Sequence, residues 1–143
     1  MKKISTVFCA LFFIASGSAF AKTLPDEAAA KELTGRIMTK VAAGDFTAAF
    51  GLIKPYSLIS PEEIDAIIAQ AKDSRGKLEP RNGKAVGYEY IDSKNAGASL
   101  LRLRYIEKDE RHAQLWEFYF YNTKEGWILD SFTWSDVYKP LFD

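Results

Sequence analysis

Apolar residues recur at three- and four-residue intervals in the first half of the chain and at alternate positions in the second, so the pattern predicts helices followed by strands. Pro25-Asp26-Glu27 opens a first helix with Ala29, Leu33, Ile37 and Val41 on one stripe, and Gly44 stops it. Asp45 caps a short second helix that buries Phe46, Ala49, Phe50 and Ile53 and ends at Pro55. Ser60-Pro61-Glu62-Glu63 is a capping box with proline at the first helical position. Ile59 and Ile64 are placed as a hydrophobic staple, and Ile64, Ile67, Ile68 and Ala71 form the third stripe. Gly76 is read as the stop of this helix, with a polar connector containing Pro80 from there to Gly83.

From Lys84 the period changes to two, which predicts strands near 84–93, 98–108, 111–122 and 126–135. Turns are expected at Asn95-Ala96, Asp109-Glu110 and Lys124-Glu125. Centred there, the hairpins oppose Tyr90 with Leu101, Tyr88 with Leu103, Val86 with Tyr105, Leu103 with Trp116, Leu101 with Phe118, Phe120 with Leu129 and Asn122 with Trp127. All of these lie on one face, as a consistent meander requires, because a one-residue slip turns every side chain over. The expected fold class is α+β: three N-terminal helices packed on a curved four-stranded antiparallel sheet. The helices cover that face, and the tail from Val137 to Phe142 is apolar enough to dock.

The opposite face is mixed. It takes Ile91, Leu100, Ile106, Leu115, Tyr119, Tyr121, Ile128, Phe132 and Trp134, with Glu89, Arg102 and Glu117 in a row and Arg104 and Asp130 nearby. Aromatic surface on this scale is not left wet on a soluble monomer. Arg102, Glu117, Tyr119, Phe132 and Trp134 are therefore the candidate partner face. The charged row is expected mainly as a ladder that keeps the sheet soluble and in register.

The N-terminus adds a compartment. Met1-Lys2-Lys3, the apolar run from Ile4 to Ala15, and a small-residue stretch ending in Ala19-Phe20-Ala21 have the three parts of a secretory signal cleaved after Ala21. The run is too short for a membrane anchor. The expected organisation is a signal peptide over 1–21 and one domain over 22–143, periplasmic or secreted and off the membrane after cleavage. The single cysteine, Cys9, leaves with the signal. That suits an oxidising compartment and excludes a disulfide framework and a cysteine nucleophile. Equal numbers of acidic and basic residues, 19 each, give no electrostatic case for nucleic acid as a partner.

Chemistry-bearing residues are sparse. His112 is the only histidine. The register sets it opposite Glu107, and a solvated pair beside a turn is the expectation. One histidine and no mature cysteine argue against a metal site, and no phosphate loop or serine elbow is present. No cofactor is expected. The inward tyrosines Tyr88, Tyr90 and Tyr105, with Gln114 and Trp116, are the candidate lining of a small apolar ligand pocket, since a buried phenol wants a partner. The competing expectation is that these rings fill the interior.

Two segments carry a resemblance. Ala42-Ala43-Gly44-Asp45-Phe46-Thr47-Ala48-Ala49-Phe50 starts a second helix with Gly-Asp-aromatic, and Glu125-Gly126-Trp127-Ile128-Leu129-Asp130-Ser131-Phe132 turns into a tryptophan-bearing last strand. With helices followed by a meander, the chain resembles the NTF2-like (cystatin-like α+β roll) superfamily, with no particular subfamily matched. The resemblance implies either a small-molecule isomerase, dehydratase or epoxide hydrolase with a pocket between sheet and helices, or a non-catalytic dimerisation, transport or secretion-apparatus domain. In such enzymes pocket-facing acids and tyrosines do the chemistry. Here the inward acids are only Asp92 and Glu107, both at strand ends. The leading expectation is an exported module without catalytic activity that binds a second copy, or an envelope protein, through the outer face. The alternative is a pocket protein or isomerase/dehydratase-like enzyme using the inward tyrosines.

Overall fold

Each helix begins where a side chain satisfies its free N–H groups. The computed structural model describes residues 20–143; the expected signal, save its last two residues, lies outside the described residues. Helix α1 (Glu27–Ala42) starts with Asp26 Oδ1 accepting from Ala29 N at 2.8 Å. Helix α2 (Phe46–Gly51) starts with Asp45 Oδ1 accepting from Ala48 N at 3.0 Å. Helix α3 (Pro61–Asn82) starts with Ser60 Oγ accepting from Glu63 N at 3.1 Å. Caps of this kind contribute about 1 kcal/mol each. Leu33, Ile37 and Val41 are buried as the stripe requires, and Ala30, Thr34 and Met38 widen it.

Helix α3 does not stop at Gly76. It continues through Pro80 to Asn82, and Gly83, at φ 81°, ends it. Proline removes one N–H, and its ring presses on the carbonyl four residues earlier. That carbonyl belongs to Gly76. The last turn is held instead from across the molecule. Arg111 donates through Nε to Arg81 O at 3.1 Å and through its backbone N–H to Asn82 O at 2.8 Å. A Cβ at Gly83 would collide with the Glu110 side chain, so glycine is required there for space as well as for φ.

The sheet is an antiparallel meander, β1 (Ala85–Ala96), β2 (Leu100–Asp109), β3 (Ala113–Thr123) and β4 (Gly126–Ser135), in the order β1-β2-β3-β4. Three helices followed by this sheet are the α+β layout expected for an NTF2-like roll. The third hairpin has the expected register, with Phe120 opposite Leu129 and Asn122 opposite Trp127. The first is displaced by five residues next to its turn, Ser93 facing Leu103, because the strands run on to a turn at Gly97 rather than Asn95-Ala96, and by four beyond the bulge at Ile91, where Tyr90 faces Tyr105. The second is displaced by two, Leu103 facing Phe118, because the turn spans residues 110–112. Even displacements keep each side chain on its face. Trp116, Phe118 and Leu103 are therefore buried beneath the helices, as expected.

Bulges change the parity elsewhere. The register shifts at Val86, Ile91 and Asp130. Val86, expected inside, is left 64% exposed. Asp92, expected inside, moves to the outer face opposite Arg104. Phe132 and Trp134, expected outside, turn inward opposite Phe118 and Trp116. Bulges increase local twist, which suits a sheet curling around three helices.

The first described residues close the β4 edge. Leu24 exchanges backbone hydrogen bonds with Trp127 at 2.8 and 2.9 Å, and Lys22 N–H donates to Pro55 O at 2.7 Å. Ser57 bridges Leu129 in parallel.

Candidate functional site

The inner face is filled. Phe50 packs against Trp116, Phe132 and Trp134 with ring centroids 6.3, 5.3 and 6.2 Å away. Tyr105 meets Tyr90 and Phe118 edge-on, and Tyr88 lies 6.1 Å from it. The structure does bring Tyr88, Tyr90 and Tyr105 together, with Tyr105 buried in the core and Tyr88 and Tyr90 half-buried against it. The Tyr105 hydroxyl is 2.7 Å from Thr34 Oγ1, and Thr34 donates to Ala30 O. Burial pushes the Tyr105 phenol pKa up. Gln114 and Trp116 are buried apart from these hydroxyls, beside an interstice of only ≈10 Å³ bordered by Phe46, Arg75, Glu107 and Trp134.

Glu107 is the inward acid that strand-end reasoning undervalued. It is fully buried. Its carboxylate pairs with Arg75 of α3 and accepts from Trp116 Nε1 at 3.0 Å. Arg75 in turn donates to Val41 O at 3.3 Å and lies 4.8 Å over the Phe46 ring. Burial pushes the Glu107 carboxyl up to about 7; Arg75 opposes that shift and Asp109 adds to it. Asp109 accepts from Gln114 Nε2 at 3.1 Å, and its other oxygen is buried without a partner among the described residues. The polar and apolar parts of this cluster interlock around a space too small for an organic ligand. Extension of α3 past Gly76 does not create the cluster, since Arg75 precedes it. The overlooked signal was an arginine on the α3 side facing an inward glutamate.

His112 is not opposite Glu107, because Gln114 takes that place. His112 sits in the turn with Nε2 3.0 Å from Asp136 O and its ring 5.5 Å from Tyr138.

On the outer face the expected row of Glu89, Arg102 and Glu117 does not form. Glu89 faces Ile106, Arg102 faces Lys94 and Tyr119, and Glu117 faces Arg104. The working ladder is Asp92–Arg104–Glu117. Arg104 grips Asp92 with two hydrogen bonds, one of them from Nε at 2.8 Å, and holds its carboxyl below the usual carboxylate range. Arg104 Nη1 also donates to Pro140 O at 3.1 Å, which lays the tail and its terminal turn (Lys139–Phe142) on this face.

Beyond Arg104 toward the β1–β2 turn, the outer face is uncovered. Leu100 and Tyr121 are 47% and 45% exposed. A pocket of ≈260 Å³ opens there, lined by Lys94, Asn95, Ala96, Leu100, Leu101, Arg102, Tyr119 and Phe120. The Arg102 Nε is buried and has no hydrogen-bond partner among the described residues. Of the expected partner face, Arg102, Glu117 and Tyr119 are on this side, and Phe132 and Trp134 belong to the core.

No family model matches the chain, and no curated protein sequence matches it. Its structure is similar to a crystal structure from Campylobacter jejuni described as an NTF2-like transpeptidase, with a TM-score of 0.49, 13% identity, and 71% of this chain and 97% of that chain covered. No residue role is carried over from it.

Proposed function

We propose that the chain is an exported, non-enzymatic NTF2-like module that associates with a second copy of itself through the outer face of its sheet. The observation that carries this reading is the uncovered end of that face. Leu100 and Tyr121 stand nearly half exposed there, and Leu100, Lys94, Arg102 and Tyr119 border a pocket of ≈260 Å³. The rival reading, a ligand pocket among the inward tyrosines, needs a void of about 300 Å³ or more. Those side chains instead pack on one another, and the interstice beside Gln114 and Trp116 is ≈10 Å³. Export rests on the three-part leader.

Light scattering on the chain purified after export tests the reading. The expected mass is that of a dimer, and Leu100→Asp with Tyr121→Asp returns it to a monomer with unchanged circular dichroism. A wild-type monomer at high concentration contradicts it.

A further inference from the structure

The tail that crosses the outer face carries the chemical complement of the pocket beside it. Arg104, which fixes Pro140, lies two residues along β2 from Arg102. Two residues past Pro140, Phe142 is 83% exposed, so its ring contacts almost nothing of its own chain. Asp143 follows, also exposed, and its side-chain carboxylate has no ion pair among the described residues. The pocket offers the reverse. Leu100 and the Tyr119 ring give it apolar surface, and Lys94 and Arg102 border it with two cations that have no ion pair among the described residues. Its ≈260 Å³ is ample for a phenyl ring, since an apolar cavity of about 150 Å³ takes up benzene.

We infer that two copies exchange tails: Phe142 of each enters the pocket of the other, and its Asp143 meets Lys94 and Arg102 there. This rests on the self-association reading and names its anchor. The contact is isologous, because pocket and tail lie on one face of the same chain, so a two-fold axis makes it twice and closes the assembly. The Asp143 carboxylate supplies the counter-charge that Lys94 and Arg102 lack among the described residues. Opposite charges at the pocket mouth set the register of the pair, and the aromatic anchor in a desolvated pocket contributes most of the affinity.

Sedimentation equilibrium on the exported chain and four variants tests it. Phe142→Ser raises the dimer dissociation constant roughly 10- to 100-fold, as loss of a central aromatic anchor does. Asp143→Lys and Arg102→Glu each weaken the dimer, and the double variant with both changes regains affinity, which a purely structural role for either residue does not predict. Because Phe142 is exposed within its own chain, the dilute Phe142→Ser monomer keeps the wild-type melting temperature. A wild-type dimer indifferent to Phe142→Ser, or a charge swap without rescue, overturns tail exchange and leaves self-association standing. A wild-type chain that never dimerises overturns both.

Discussion

The indole N–H of Trp116 donates to Glu107 Oε2 at 3.0 Å, beneath α3 and out of reach of water. The carboxylate it meets is shared with Arg75. Helix, strand β2 and strand β3 are thus joined through one ionisable group, and that group couples folding to pH.

Burial raises the Glu107 carboxyl from its ordinary 4.5 to about 7, so the folded chain holds a proton that the unfolded chain releases. Stability therefore falls as pH rises from about 4.5 to about 7, and levels off above. Glu107→Gln, which mimics the protonated acid, flattens that slope in urea titrations. Asp92 acts with the opposite sign. Its carboxyl is depressed by Arg104, so its contribution is present above its ordinary 3.8 and is lost as pH falls through the depressed value. The acid limb survives in Glu107→Gln. An unchanged slope between about pH 4.5 and 7 in that variant contradicts the assignment.

Arg111→Ala removes the side-chain donor that holds the Arg81 carbonyl in the last turn of α3. The expected cost is about 1 kcal/mol. Amide exchange should quicken at Gly83, whose N–H bonds to Glu79 O, while Ala71 and its neighbours stay protected. Uniform loss of protection along α3 argues against a local cap.

Thr34→Val strands the Tyr105 hydroxyl with only the Lys31 carbonyl, at 3.4 Å. A cost of about 1–2 kcal/mol is expected from denaturant midpoints. In a double-mutant cycle with Tyr105→Phe the second change adds little, with a coupling of about 1 kcal/mol. Strict additivity excludes the bond as a stabilising contact.

Much of this fold was legible because its signals are local. Asp26, Asp45 and Ser60 announce three helix starts, and all three caps form. Leu103, Trp116 and Phe118 keep their expected face because the displacement of the hairpin that joins them is even. What stayed hidden depends on tertiary contact. Nothing near Gly76 signals that Arg111 will hold the helix end beyond Pro80. Nothing in the alternation of β4 marks Asp130 as a bulge, so Phe132 and Trp134 were assigned to the wrong face. The charged ladder runs through Arg104 rather than Arg102, because the bulge at Ile91 carries Asp92 to the outer face opposite Arg104. The tail contact with Arg104 joins residues 36 positions apart and leaves no trace in either segment.

Hydroxyl-radical footprinting of the chain over residues 22–143, dilute and then concentrated, tests the outer-face account most directly. Leu100, Tyr121 and Phe142 should lose reactivity together as concentration rises, while Leu58 and Val86, exposed elsewhere, keep theirs. Constant reactivity at those three positions across the full concentration range would contradict the account.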